Sequence, residues 1–213
     1  MSHLTWRQTY TGRRFDLVEP TADMVCLEDI AHALSLTNRF GGHVTRAYSV
    51  AEHSLYVSWV DTWRRPHTLA EPSPLLALYS LLHDAHEAYL GDLHPGIKPI
   101  CGQFKALCER IDHAIWAHFE IPPPSPSEYA IVKSHENLVF LAEVLVLFNK
   151  GRRHDFFVTN PEAERLMARY ITGDLDVRPI VDHIAARISE ARDTTAQEWE
   201  NKFYWSGRLM LGR

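Results

Sequence analysis

Cysteine is scarce in this 213-residue chain: Cys26, Cys101 and Cys108 are the whole complement, and no two stand in a CxxC pair. An odd thiol count without that spacing argues against a disulfide framework and reads as structural, reduced thiols. Long apolar runs are missing too, with none near the ~20 residues that cross a bilayer. The opening MSHLTWRQTYTGRR lacks the apolar core of a secretory signal. Nor is there a surplus of positive charge: 22 basic against 27 acidic residues give a formal charge of -5. That balance disfavours an extended nucleic-acid surface and leaves room only for a local basic pocket, enough for one phosphate group. These absences predict a cytoplasmic protein with no membrane partner.

What is present points to one globular body. The chain is 46% hydrophobic and 11% aromatic, enough for a sizeable core. Turn formers and β-type residues between Thr9 and Val25 suggest a short hairpin or arm. Leu27, Ile30, Ala31 and Leu34 predict a helix that ends before Gly41-Gly42. Ser49 and Glu52 form a capping-box signature for a second helix through Leu55, Tyr56 and Val60. A third should run from Pro74 to Gly91, a fourth from Gln103 to Phe119, and a fifth, the most apolar, from Glu128 to Phe148. Two further helical segments follow beyond Gly151. The expected architecture is all-α: a bundle of about five core helices over residues 1–150, with 151–213 as a helical extension packed on it.

Thirteen histidines make a metal site worth seeking. The third helix, apolar at first, carries His83, Asp84, His86 and Glu87 just before Gly91 and Asp92 in YSLLHDAHEAYLGD. Buried charge is costly unless it is paired or metal-bound, so this cluster needs a partner. His83 and Asp84 can both meet one ion only if it sits obliquely between them, and they supply two ligands where four to six are needed. His53 on the second helix and a carboxylate of the fifth, Glu136 or Glu143, are the candidates to complete the set. Two imidazoles with two carboxylates suit Co, Mn, Zn, Fe or Mg.

Taken together, YSVAEHS, LLHDAHEAYLGDLHPGIK, VKSHENLVFLAEVL and the upstream DIAHALSLTNRFGGH resemble the HD-domain phosphohydrolases. The likeness is to the group that contains the bacterial 5'-deoxynucleotidases and the phage-type deoxyadenosine triphosphate triphosphohydrolase, and it runs from about Thr9 to Phe148. It implies that His53, His83 and Asp84 bind the ion. In that group the fourth ligand is an aspartate in a VK-x-x-D context; here VKSHE places Glu136 there, with His135 as the fallback. The resemblance further implies that Arg39 grips phosphate and that Glu87 and Asp92 line the pocket as acid–base groups, with Asp84 anchoring the metal. Phe40 beside Arg39, Arg46 in the following loop and Lys98 in GIKP are further expected substrate contacts. The function expected is metal-dependent hydrolysis of a deoxynucleotide, either monophosphate to nucleoside and phosphate or triphosphate to nucleoside and triphosphate, by a homo-oligomer. The alternative is a metal- or nucleotide-binding regulator of the same fold without turnover.

Overall fold

The computed structural model describes residues 5–64, 73–148, 161–190 and 196–211. Pro66, Pro72 and the stretch from Gly151 to Asn160, where the first helical segment of the extension is expected to begin, lie outside the described residues. A hairpin comes first: β1 (Trp6–Gln8) pairs antiparallel with β2 (Arg14–Asp16), with Arg7 opposite Phe15. Its inward residue Phe15 is fully buried and stacks on Tyr89 at 3.6 Å.

The helices are α1 (Leu27–Leu36), α2 (Val50–Arg64), α3 (Pro74–Leu82), a single turn α4 (Glu87–Leu90), α5 (Phe104–His118) and α6 (Pro126–Leu147). After them come α7 (Pro161–Ile171), α8 (Arg178–Ser189) and α9 (Ala196–Leu211). The all-α expectation holds. Ser125 caps α6 in a full capping box with Glu128, which places its start two residues earlier than the apolar pattern suggests. Among the described residues no helix is long and apolar enough to cross a membrane.

Two apolar clusters fill the body. Ile30, Leu34, Leu81, Ile111 and Ile115 lie in one; Val57, Leu138, Leu141 and Leu147 lie in the other. The C-terminal helices complete both: Trp199 of α9 is fully buried in the first, and Ile180, Val181 and Ile184 of α8 sit in the second. At the usual coefficient of about 25 cal/mol per Å², one buried side chain of this kind contributes roughly 1.5–3 kcal/mol. Described residues of α7, α8 and α9 are therefore part of the core.

Two local expectations change. The third helix is interrupted: α3 stops at Leu82, and His83 to His86 form a turn with i→i+3 bonds, Ala85 to Leu82 and Glu87 to Asp84, before α4 resumes. That tighter winding lies under the His-Asp pair. At the head of α2 only half of the capping box forms, because the Glu52 amide donates to Ser49 Oγ while the Glu52 carboxylate turns to Arg46.

Candidate metal centre

Three side chains from two segments meet at one point. His53 is fully buried in the first turn of α2, His83 follows the last turn of α3, and Asp84 follows it. His53 Nε2 and His83 Nε2 are 3.3 Å apart, His83 Nε2 is 3.1 Å from Asp84 Oδ2, and His53 Nε2 is 3.9 Å from the same oxygen. A circle through these three atoms has a radius of about 2.0 Å, the length of a bond from imidazole nitrogen or carboxylate oxygen to a divalent transition ion, about 2.0–2.2 Å. One ion fits at its centre.

The tautomers point the same way. His83 Nδ1 lies 2.8 Å from the Ser80 carbonyl, which can only accept, so Nδ1 carries the proton. His53 Nδ1 lies 2.6 Å from Glu143 Oε1 and donates to that carboxylate. In the neutral rings both Nε2 atoms therefore present lone pairs to each other, a repulsive arrangement unless a cation stands between them. Without a metal that cation is a proton. Burial would lower His83, but Asp84 outweighs it and pushes the ring up to about 8. Burial also disfavours the Asp84 carboxylate, yet His83, His53 and Arg39 hold it well below the usual range.

Arg39 enters from the 3₁₀ turn Arg39–Gly42 that follows α1. Its Nη1 is 3.5 Å from Asp84 Oδ2, and its Nη2 is 3.3 Å from Glu143 Oε2. Nε is buried and has no hydrogen-bond partner among the described residues. Glu143 is fully buried, and burial alone would raise its carboxyl; Arg39 and His53 overcome that and hold it down at about 2. It thus stands behind the candidate ligand and the candidate phosphate grip together. Sequence reasoning weighed Glu143 only as a metal ligand. The available signal was a single charge within the apolar run LVFLAEVLVL.

Glu87 at the start of α4 is 2% exposed; burial, reinforced by Asp84 and Asp92, pushes its carboxyl up to about 8. Lys98 Nζ stands 3.5 Å from Glu87 Oε1, so GIKP does deliver its lysine to the site. Asp92, just past Gly91, is partly buried and near enough to act on both Glu87 and Lys98. Glu87 also borders a cavity of about 480 Å³ between β1, α1 and α4, walled by Arg7, Tyr10, Asp29 and His32. Tyr10 stacks on His32 there at 3.6 Å.

Other expected residues are placed differently. Glu136 lies outside the close His53–His83–Asp84 donor group, and its carboxylate is held at 2.8 Å by Lys133 along α6, although its charge is near enough to help raise His83. The fallback His135 is turned instead toward Asp61 of α2, with Nε2 3.1 Å from Oδ1. Arg46 is not free for substrate. It forms a two-pronged pair with Glu52, at 2.6 and 3.0 Å, and donates to the Ile188 carbonyl, which fastens the end of α8 to the head of α2. Phe40 adopts φ +57°, rare for a residue with a side chain, and packs edge-on to Phe148 at 4.9 Å with the Arg39 guanidinium 5.2 Å from its ring centre. His86 donates from Nδ1 to Asp112 Oδ1 at 3.0 Å, a buried pairing that sequence reasoning did not anticipate.

No family model matches the chain. Over 131 residues it is 39% identical to an uncharacterized protein of Rhodobacter capsulatus, a match covering 59% of this chain and 65% of that one. Over 129 residues it is 30% identical to the uncharacterized protein YfdR of Escherichia coli, covering 60% of this chain and 66% of that protein. The chain thus spans just under two thirds of the length of the curated relatives it matches.

Proposed function

We propose that the protein is a divalent-metal-dependent phosphohydrolase acting on deoxynucleotides, with His53, His83 and Asp84 as its metal ligands. The observation that carries this reading is the convergence of two imidazole lone pairs and one carboxylate oxygen on a point about 2.0 Å from each. A divalent ion held there supplies a Lewis acid that lowers the pKa of bound water and offsets phosphoryl charge. The rest of the chemistry belongs to the chain. Arg39 meets the phosphate oxygens, its buried Nε being a donor in want of an acceptor. Glu87 and Asp92 position water and carry protons at the pocket wall. The cavity beside Glu87 gives room for a nucleoside.

Between the two candidate reactions, the geometry favours the monophosphate. A triphosphate calls for several cationic groups, and Arg46 is committed to Glu52, which leaves Arg39 and Lys98 at the site. The three unpaired cysteines suit a reducing, cytoplasmic setting.

The test is to incubate the protein and its Asp84→Asn variant with a panel of deoxy- and ribonucleotides, each with Mn²⁺, Co²⁺, Zn²⁺ or Mg²⁺, and to separate the products by chromatography. The expected result is inorganic phosphate from a deoxynucleoside monophosphate, lost in the variant. Triphosphate release would select the other reaction. Bound metal without turnover of any nucleotide would leave the regulator.

A further inference from the structure

We propose that a second divalent cation binds beside the first, on Asp84, His86 and Glu87, with Asp84 shared between the two ions. The inference rests on the reading that His53, His83 and Asp84 hold one ion, and it deepens that site from one metal to a pair, in which Glu87 is a deprotonated ligand and Asp92 alone is left to carry protons.

Three observations carry it. One ligand atom each from Asp84, His86 and Glu87 lies within 4.8 Å of the other two, so one ion can reach all three after small side-chain adjustments. The contacts of Asp84 with His53, His83 and Arg39 all run through Oδ2, which leaves Oδ1 for an ion on the other side. His86 and Glu87 are both at least nine-tenths buried.

His86 Nδ1 donates to Asp112, so its ring is braced by a carboxylate in the way that metal-ligating histidines usually are, and an ion taken at the other nitrogen would compete with the ring's hydrogen bond to Cys108. Glu87 Oε2 is buried without a hydrogen-bond partner among the described residues, and an unmet carboxylate oxygen is expensive to bury. Lys98 satisfies only the other oxygen, Oε1, and does so at 3.5 Å from a partly exposed position that it can leave. Two cations joined by one carboxylate stand about 3.5–4 Å apart in hydrolytic sites, the spacing at which attacking and leaving oxygens are both covered.

The experiment uses the full chain, stripped with a chelator and titrated with Mn²⁺, read by metal analysis and by electron paramagnetic resonance. The wild type is expected to bind two equivalents and to show the signal of a spin-coupled pair. His86→Ala should keep one, uncoupled. Because that variant empties a packed site, Asp112→Asn provides a milder probe: it should weaken the second equivalent about 10- to 100-fold and spare the first. Saturation of the wild type at one Mn²⁺, unchanged in either variant, overturns the second site and leaves the first standing. Two equivalents unaffected by both variants also overturn the assignment. Absence of any tight Mn²⁺ in the wild type removes the first site itself.

Discussion

Glu143 Oε1 stands 2.6 Å from His53 Nδ1, and both side chains are fully buried. The second oxygen of the same carboxylate is 3.3 Å from Arg39 Nη2, so one acid fixes both the ring at the candidate metal centre and the guanidinium beside it. Glu143→Gln should therefore weaken metal binding about 10- to 100-fold through loss of ring orientation. It should also lower stability by about 3–5 kcal/mol, because a buried arginine loses the nearer of its two counter-charges, Glu143, and keeps only Asp84. Calorimetric metal titration and urea unfolding read the two effects separately. Unchanged metal affinity would show that His53 needs no help from behind.

Arg46 and Glu52 give the opposite expectation. Their pairing and the bond to the Ile188 carbonyl tie α8 to α2 and place neither side chain in the His53–His83–Asp84 group. Arg46→Ala should cost about 1–3 kcal/mol, the usual penalty for stranding a buried acceptor. It should leave the KM of any nucleotide substrate within about twofold. A KM that rises tenfold with stability intact would return Arg46 to the substrate.

How far the sequence carried the reading follows from the range of each signal. Helix periodicity and caps are local, and they located α1, α2, α5 and α6 to within a few residues. That His53, His83 and Asp84 would lie together was legible from the joint resemblance of their motifs, not from spacing within any one helix. Partner choice was not legible. Whether the acid reaching the centre from α6 is Glu136 or Glu143 depends on which face of that helix turns inward. Lys133, three residues before Glu136, draws it along the helix surface, whereas Glu143 lies wholly inside. Arg46 was misplaced for the same reason, since its carboxylate partner is Glu52 and its second anchor lies 142 residues away in α8. The break at His83 has no proline or glycine to announce it.

The metal-free protein should lose stability as pH rises from about 6 to 8. His83 is raised to about 8 from the ordinary imidazole value of 6.5, so its contribution is complete below about 6.5 and vanishes as pH climbs through 8. Glu87, raised to about 8 from 4.5, acts in the same sense: between those values the folded chain holds a proton that the unfolded chain has released, and stability falls as pH rises. A saturating divalent ion should reverse the trend, because its ligands bind deprotonated. Urea midpoints at pH 6, 7 and 8, with chelator and with Mn²⁺, make the comparison. A flat or rising chelator series would contradict it.

Gly91 sets the path by which the chain leaves α4 for Asp92. Its φ of +81° and ψ of 161° belong to a region that is almost closed to residues with a Cβ. No atom lies within 4 Å of where that Cβ would go, so Gly91→Ala tests backbone conformation with no steric clash added. The strain should cost about 1–3 kcal/mol. If the backbone relaxes instead, Asp92 moves relative to Glu87 and Lys98, and kcat should fall more than tenfold while Mn²⁺ at His53 and His83 is retained. Measuring the unfolding midpoint, Mn²⁺ binding and kcat on one preparation distinguishes strain from displacement. A variant matching the wild type in all three would mean that neither the backbone geometry at Gly91 nor the placement of Asp92 matters to fold or site.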